Sequence, residues 1–501
     1  MKIYSMLSYV DMLNEAGLLV SANLIDDTLA IEHITYDSKQ AQEFTLFACK
    51  GVAFKEKYLT DAVKMGISCY VSEVKYDVSI SSIIVSDVRK AMALIADMFY
   101  DKAYEKLNLI GITGTKGKST TAYYLKYIFD EFAQQNGEKP SAIISSIDTF
   151  DGIIKKESVL TTPEAFLLHE HFDNAVKTGI NFMEMEVSSQ ALKYDRVLNV
   201  KFGVGVFLNI SSDHISPMEH SDFDDYLNSK LKIFDQTDVC VINLDADFSE
   251  KISAAAKKCK KIITFGKSPK ADIYCYSIKK VVDEIHFCVA AQDFDEKFVL
   301  TMPGLFNVEN ALAAIAVARQ YGIDVDIIKR ALFKARSSGR MELFSNEDNS
   351  KIVIVDYAHN KLSFEKLYES VLEEYKGRKI ITVFGCPGGK ALNRREELGI
   401  LAGKFSDKVY LTAEDPGYEE VKEISNQIEV YVQNQHCECH KIEDRGQAIT
   451  KAISDAAENS IILITGKGNE TRQKIGKDYI KCLTDSEYAK QALSSDAIKL
   501  K

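Results

Sequence analysis

Residues 107–120 read LNLIGITGTKGKST. The first seven positions form an apolar, strand-like run. Beyond the glycines, Ala122, Leu125, Ile128, Phe129 and Phe132 fall along one side of a helix predicted from Ser119 to about Phe132. A strand, a glycine turn and a helix N-terminus in that order make a phosphate cradle. Glycines let the backbone approach the anion, and the unpaired N–H groups of the helix start face it with a favourable dipole. Lys118 supplies a cation for the outer phosphates, and the Ser119 hydroxyl suits magnesium. Ile112 stands where the longer G-x-x-x-x-G-K-[ST] would need a glycine, so the loop fits the shorter G-x-x-G-K-[ST] from Gly114. Gly114, Thr115, Lys116, Gly117, Lys118, Ser119 and Thr120 are therefore the predicted ATP-contacting run.

Working outward, apolar runs at 142–145, 182–187, 204–210, 239–244 and 261–265 alternate with helical segments. That alternation indicates a mainly parallel sheet covered by helices. Before it, runs at 45–49, 69–71 and 82–85 mix with a helix at 88–100. After it, 273–300 is rich in strand alternation, and a helix is predicted over 308–321. A second series begins after Ala335, with strands at 352–356, 379–384, 408–412 and 461–465. Each ends in polar or glycine residues, where open α/β sheets carry their ligand loops. The fold expected is α/β in three domains: a smaller α/β domain over 1–104, a central phosphate-loop domain over 105–336 and a Rossmann-like domain over 337–501.

The 501 residues are 46% hydrophobic and 27% charged, ordinary for a globular protein with real cores. A net charge of −11 argues against general affinity for nucleic acid or anionic membrane, while leaving room for a locally basic pocket. The start, MKIYSMLSYVDMLNEAG, carries Asp11 and Glu15 and lacks a signal layout. No stretch is long enough to span a bilayer, so a cytoplasmic protein is expected. The ten cysteines are scattered through apolar runs, as buried free thiols are in a reducing compartment. In 436–440, HCECH, strand alternation puts the cysteines on one face and the even-numbered residues on the other. Five consecutive residues hardly wrap a tetrahedral zinc, so an ordinary strand is expected.

The loop GITGTKGKST resembles that of the Mur ligases, and further landmarks follow in the same order from about residue 30 to about 480. Within that family the third-residue-adding, lysine-using branch is most similar. Thr35-Tyr-Asp37-Ser38-Lys39 and the segment through Lys50-Gly51 resemble the uridine-nucleotide site, which implicates Ser38. Thr161-Thr162-Pro163-Glu164 resembles a loop near the muramoyl-peptide. Met185-Glu186-Val187-Ser188-Ser189-Gln190 resembles a strand end with a magnesium-binding glutamate, and Gln190 stands where His is common. The resemblance implies that Ser188 and Arg196 hold the peptide precursor, with Thr161 and Thr162 beside them. It also implies that Ser119, Glu186, His214 and a carbamylated Lys230 serve two magnesium ions.

Gly304-Leu-Phe-Asn307 is similar to the family's adenine-side segment. Gly339-Arg340-Met341 resembles the entry into the C-terminal domain, and Asp356-Tyr357-Ala358-His359-Asn360 its first strand end. Gly385-Cys-Pro-Gly-Gly389 with Arg394-Arg395 resembles the turn and basic pair directed at ATP. Asn307, Arg340, Asp356 and Arg395 are thus ATP-side candidates. The amino-acid loop is Glu414-Asp415-Pro416-Gly417, where relatives that add meso-diaminopimelate carry an arginine at the position of Gly417. Without that guanidinium a distal carboxylate lacks its bidentate partner, whereas Glu414 and Asp415 suit an ammonium. Gly466-Lys467-Gly468-Asn469-Glu470 resembles the other amino-acid motif, with Gly466 and Glu470 as candidates and Asn469 in place of a frequent His.

The resemblance implies an ATP- and magnesium-dependent monomer that joins L-lysine to UDP-N-acetylmuramoyl-L-alanyl-D-glutamate through an acyl phosphate. Lys118, Glu186, His214 and Lys230 would carry the chemistry. Other readings left standing are the same ligase with meso-diaminopimelate or ornithine, a folylpolyglutamate-type ligase, a phosphate-loop ATPase, and a non-catalytic binder on the same scaffold.

Overall fold

The computed structural model describes residues 3–51, 54–211, 215, 219–282 and 284–499, with side chains described to 494. The chain forms two compact units, Met1–Phe265 with Ala316–Tyr321, and Gly266–Ile315 with Gly322–Lys501. No helix among the described residues is long and apolar enough to cross a membrane.

The first unit holds two sheets. The smaller runs in the order Leu19–Asn23, Ser81–Val85, Cys69–Ser72, Thr45–Ala48, His33–Thr35, parallel except at the Leu19–Asn23 edge. Its inner strands are buried on both faces, as parallel strands covered by helices must be. Met6–Glu15 and Val88–Phe99 supply one cover, packing Leu13, Ala91, Met92 and Ile95 onto Leu46, Val71 and Ile83. Asp87 caps Val88–Phe99 by accepting the N–H groups of Arg89 and Lys90.

The larger sheet of this unit orders its strands Lys155–Glu157, Asp148–Phe150, Ala142–Ile144, Phe182–Glu186, Asn108–Thr113, Phe202–Phe207, Thr237–Asn243 and Lys261–Gly266. The first two form an antiparallel edge hairpin, and the remainder are parallel. Asn108–Thr113 lies between Phe182–Glu186 and Phe202–Phe207, so the phosphate loop emerges from the interior of the sheet. The following helix, Lys118–Asn136, buries Ala122, Leu125, Ile128, Phe129 and Ala133 at helical spacing and stops at Gly137 in a left-handed C-cap. Phe129 stacks on Phe182 with ring centroids 4.4 Å apart. Truncating such a ring costs about 3–5 kcal/mol.

The second unit contains an antiparallel meander, Ile273–Val281, Glu284–Ala290 and Asp295–Leu300, and a six-stranded sheet. The sheet order is Glu342–Ser345, Lys351–Asp356, Ser460–Thr465, Lys379–Phe384, Lys408–Leu411, Glu438–Lys441, parallel except for the Glu342–Ser345 edge. Helix Lys361–Glu374 opens with a capping box between Asn360 and Ser363. The sheet therefore turns the C-terminal ends of four interior strands toward one side, and the loops there carry Asp356, Gly385, Glu414 and Gly466.

All ten cysteines are free. In the 436–440 run the strand starts only at Glu438. Glu438 and His440 share a face, with His440 Nε2 2.8 Å from Glu438, while Cys437, just before the strand, is buried. His436 sits in the preceding turn with φ +62°. Among the described residues no group of His, Cys, Asp and Glu has metal-holding geometry.

Candidate active site

The phosphate loop is held from three directions. Gly117 takes φ +83°, a conformation that costs a side-chain-bearing residue about 1 kcal/mol. Lys116 N–H donates to Asn209 Oδ1 at 2.9 Å, and Asn209 Nδ2 returns a bond to the Lys116 carbonyl. The Thr115 hydroxyl meets Tyr226 at 3.1 Å and accepts the Ser211 N–H. Lys118 folds back so that its ammonium donates to the Gly114 carbonyl at 3.0 Å. Lys230, buried on helix Phe223–Leu231, donates to the same carbonyl at 2.9 Å.

Beyond the loop, the Ser119 hydroxyl lies 3.0 Å from that of Ser146, whose N–H donates to Glu186 Oε1 at 2.7 Å. Glu186 is buried at the end of its strand. Ser119 and Glu186 are hard oxygen donors joined through one residue, which is the donor chemistry magnesium takes. His214 falls outside the described residues. Its neighbour His220 is buried, with Nε2 3.0 Å from the Ser189 hydroxyl and Nδ1 3.4 Å from Asp225.

The residues expected at the peptide precursor form a connected set. Thr162 donates to the Glu186 carbonyl and accepts the Ser188 N–H at 3.0 Å. Arg196 donates to the Thr162 carbonyl at 3.1 Å and pairs with Glu164 at 2.9 Å. Glu164 also binds Lys50 at 2.8 Å, an ion triad that motif reading missed because its members come from three separate segments. Burial pulls the Lys50 ammonium down from the usual lysine range, and Glu164 only partly offsets it. Thr161, Ser188, Gln190, Arg196, Lys118 and Lys230 line one cavity of about 130 Å³. Ser38 begins a short 3-10 turn, Ser38–Gln40, capped by Asp37, and it does not line this cavity.

In the second unit, Asp356 uses both oxygens on backbone N–H groups, those of Met341 and Ala358. It thereby fixes the turn that stands Arg340 over the Tyr357 ring at 4.4 Å. Tyr357 donates to Glu470 at 2.6 Å. Lys467, buried, donates to Asp415 at 2.8 Å and to Glu470. Burial alone would lower the Lys467 ammonium, but Glu470 and Asp415 raise it above the usual range. Glu414 is also buried, and desolvation pushes its carboxyl up to about 7 against the pull of Arg394, Arg445 and Lys467. Gly466 passes directly beside it, a Cβ there standing 3.3 Å from Glu414 Oε2.

Arg395 is buried and committed to Glu419 at 2.8 Å and Gln427 at 2.7 Å, while Arg394 is the member of the pair whose charge bears on Glu414. At Gly388 a Cβ would lie 1.8 Å from the Pro416 carbonyl oxygen, and the Gly388 N–H donates to the Asp415 carbonyl at 3.0 Å. Asn307 donates to the Pro303 carbonyl at 2.6 Å and accepts from Asn310 at 3.0 Å.

Residues 112–318 match the family model described as the Mur ligase middle domain, and 339–468 match the one described as Mur ligase, glutamate ligase domain. A UDP-N-acetylmuramoyl-L-alanyl-D-glutamate--L-lysine ligase of Enterococcus faecalis is 38% identical over 463 residues, which is 90% of this chain and 90% of that protein. The solved structure of a UDP-N-acetylmuramoyl-L-alanyl-D-glutamate--2,6-diaminopimelate ligase aligns with TM-score 0.67 at 22% identity, covering 99% of this chain and 100% of that one. The MurF ligase of Thermotoga maritima, solved in complex with ADP, aligns with TM-score 0.63 at 17% identity over 94% and 99% of the two chains. These two structural likenesses concern the fold.

Proposed function

The chain belongs to the Mur ligase family, and from that membership we propose that it joins L-lysine to UDP-N-acetylmuramoyl-L-alanyl-D-glutamate at the expense of ATP. The observation that carries the reading is the single cavity shared by Lys118 and Lys230 with Thr161, Ser188 and Arg196. A γ-phosphoryl group held at the phosphate loop and a precursor carboxylate held at Arg196 would meet there.

In the first step a carboxylate oxygen of the precursor attacks the γ-phosphorus, the bond to the bridging oxygen breaks, and ADP leaves. The neutral α-amine of lysine then attacks the acyl carbon. The tetrahedral adduct expels phosphate, and the nitrogen gives up a proton to leave the amide. Lys118 stabilises the charge that develops on the phosphoryl oxygens. Arg196, oriented by Glu164 and the Thr162 carbonyl, sets the carboxylate in line. Ser119 and Glu186 would hold magnesium, with His214 and a carbamylated Lys230 as the remaining ligands for two ions. The metal supplies charge neutralisation of the phosphates.

Lysine is favoured over meso-diaminopimelate by the charge of the loop. Gly417 offers no guanidinium to a distal carboxylate, and Glu414 adds a carboxylate beside Asp415 and Glu470, whose charge Lys467 offsets in part. Asn307 would serve the adenine side in this proposal, and Arg340, Asp356 and Arg395 would be further ATP-side residues. Ser38 belongs to the uridine side. The protein works as a cytoplasmic monomer in three domains, 1–104, 105–336 and 337–501.

The test is phosphate release from ATP with UDP-N-acetylmuramoyl-L-alanyl-D-glutamate and either lysine or meso-diaminopimelate. Release with lysine alone and a tripeptide product by mass is expected. Release with meso-diaminopimelate alone would overturn the specificity, and release with neither would overturn the reaction.

A further inference from the structure

We propose that Glu374 is a positioning residue for the nucleotide base, setting the backbone of the Gly304–Asn307 turn through two hydrogen bonds. The inference rests on the reading of that turn as the adenine side of the ATP site.

Glu374 ends helix Lys361–Glu374, and its side chain is fully buried. Its two oxygens each take one N–H from consecutive residues, Gly304 at 3.2 Å and Leu305 at 2.9 Å. Ser370, one helical turn earlier, accepts the same Leu305 N–H at 3.1 Å and donates to Glu374. Lys280, on strand Ile273–Val281, brings its ammonium to 3.6 Å from Glu374 and 3.2 Å above the Tyr375 ring. A buried carboxylate is costly unless its lone pairs are matched. Here two amides, a hydroxyl and an ammonium match them, so the geometry of the turn is over-determined.

Two N–H groups chelated by one carboxylate fix two successive peptide planes. The turn is continuous with helix Asn307–Gln320 and places Asn307, whose amide is already engaged with Pro303 and Asn310. Helix Lys361–Glu374 in turn follows directly on the strand end that carries Asp356. One helix therefore ties the base-side turn to the Asp356 turn within the same unit. Recognition of a base edge depends on hydrogen-bond direction, whereas phosphate binding depends mainly on charge and N–H count. Loosening Glu374 should therefore relax base choice selectively. A residue that merely caps a helix would lower stability without changing base preference.

The experiment compares Glu374→Gln and Ser370→Ala with the unaltered full-length protein. Glu374→Gln retains size but leaves one acceptor oxygen for two amides. It is expected to raise KM for ATP about 5–10-fold and to reduce the ATP-over-GTP ratio of kcat/KM about tenfold, with KM for lysine and for the precursor within about twofold. Ser370→Ala should shift the same two quantities about two- to threefold. Titration of each protein with ADP and with GDP alone reads the same discrimination without the ligase reaction. A wild type that binds ADP but does not ligate lysine would defeat the functional reading and still leave Glu374 judged by that titration. Unchanged ATP/GTP and ADP/GDP preference in folded Glu374→Gln overturns the proposal. If that variant does not fold, unchanged preference in Ser370→Ala overturns it instead.

Discussion

Lys230 and Lys118 converge on one atom: both ammonium groups donate to the Gly114 carbonyl, at 2.9 and 3.0 Å. Lys230 reaches it from 116 positions downstream. A carbamate on Lys230 would turn that second cation into an anionic oxygen ligand beside the loop. Turnover of enzyme stripped of dissolved carbon dioxide should therefore fall and recover with bicarbonate. Lys230→Ala should lose about 10²-fold in kcat and gain nothing from bicarbonate. Wild-type activity indifferent to bicarbonate would remove the carbamate from the scheme.

In the proposed amino-acid site, the raised Glu414 carboxyl predicts a pH dependence. Its carboxyl stays protonated up to about 7 in the folded protein, against an ordinary 4.5. The ionised form attracts an ammonium, so KM for lysine should fall as pH rises from 6 to 8, and Glu414→Gln should flatten that profile. Stability moves the opposite way. A raised carboxyl favours the folded state fully below 4.5 and loses that contribution as pH rises through 7, on the order of 3 kcal/mol. Glu414→Gln should accordingly gain in Tm over wild type at pH 8 and match it near pH 4, as measured by thermal melts.

Gly417 has φ +59°, and beyond its own chain neighbours no atom lies within 4 Å of where a Cβ would stand. Gly417→Arg should therefore fold, at a cost of about 1–2 kcal/mol for the left-handed backbone. Its guanidinium would repel the substrate ammonium, so kcat/KM for lysine should drop at least about tenfold and that for meso-diaminopimelate should rise. Steady-state assays with both amino acids decide it. Unchanged lysine kinetics would mean that this loop does not select the side chain.

The buried pair Arg445–Asp485 holds the floor of the second unit's sheet loops. Arg445 makes two 2.6 Å contacts to Asp485 and also donates to the Ala413 and Thr465 carbonyls. Asp485→Asn leaves that guanidinium without its counter-charge and should cost about 3–5 kcal/mol in denaturant unfolding. KM for lysine should rise as well, since Ala413 and Thr465 directly precede Glu414 and Gly466.

Much of this was legible in the chain because it is local. The strand before the phosphate loop and the helix after it carry their own periodicity, as does Val88–Phe99, expected over 88–100. The helix expected to stop near Phe132 runs on to Asn136, because Ala133 is still buried and Gly137 supplies the stop. The hairpin Asp148–Phe150 with Lys155–Glu157 gave no signal, its second strand being short, charged and exposed. Motif order singled out Glu186, Ser188, Arg196 and Glu470 as candidates. It was silent on Glu374 with Gly304, on Lys50 with Glu164, and on Arg445 with Asp485. Each of those pairs joins distant segments through geometry alone, and single residues of those types are commonplace on surfaces. The engagement of Arg395 with Glu419 and Gln427 was equally invisible, since two adjacent arginines look interchangeable until helix Asn393–Phe405 buries Arg395.

The contact between Gly388 and Pro416 has a bearing on descent and on engineering. With so little room between them, the glycine turn after one strand and the acidic loop after the next form a matched pair, like a key cut to one lock. Swapping the acidic loop from a ligase with other tastes, while keeping the resident glycine turn, would import half of a fitted joint. Chimaeras should be spliced outside both, so that 385–389 and 414–417 travel together.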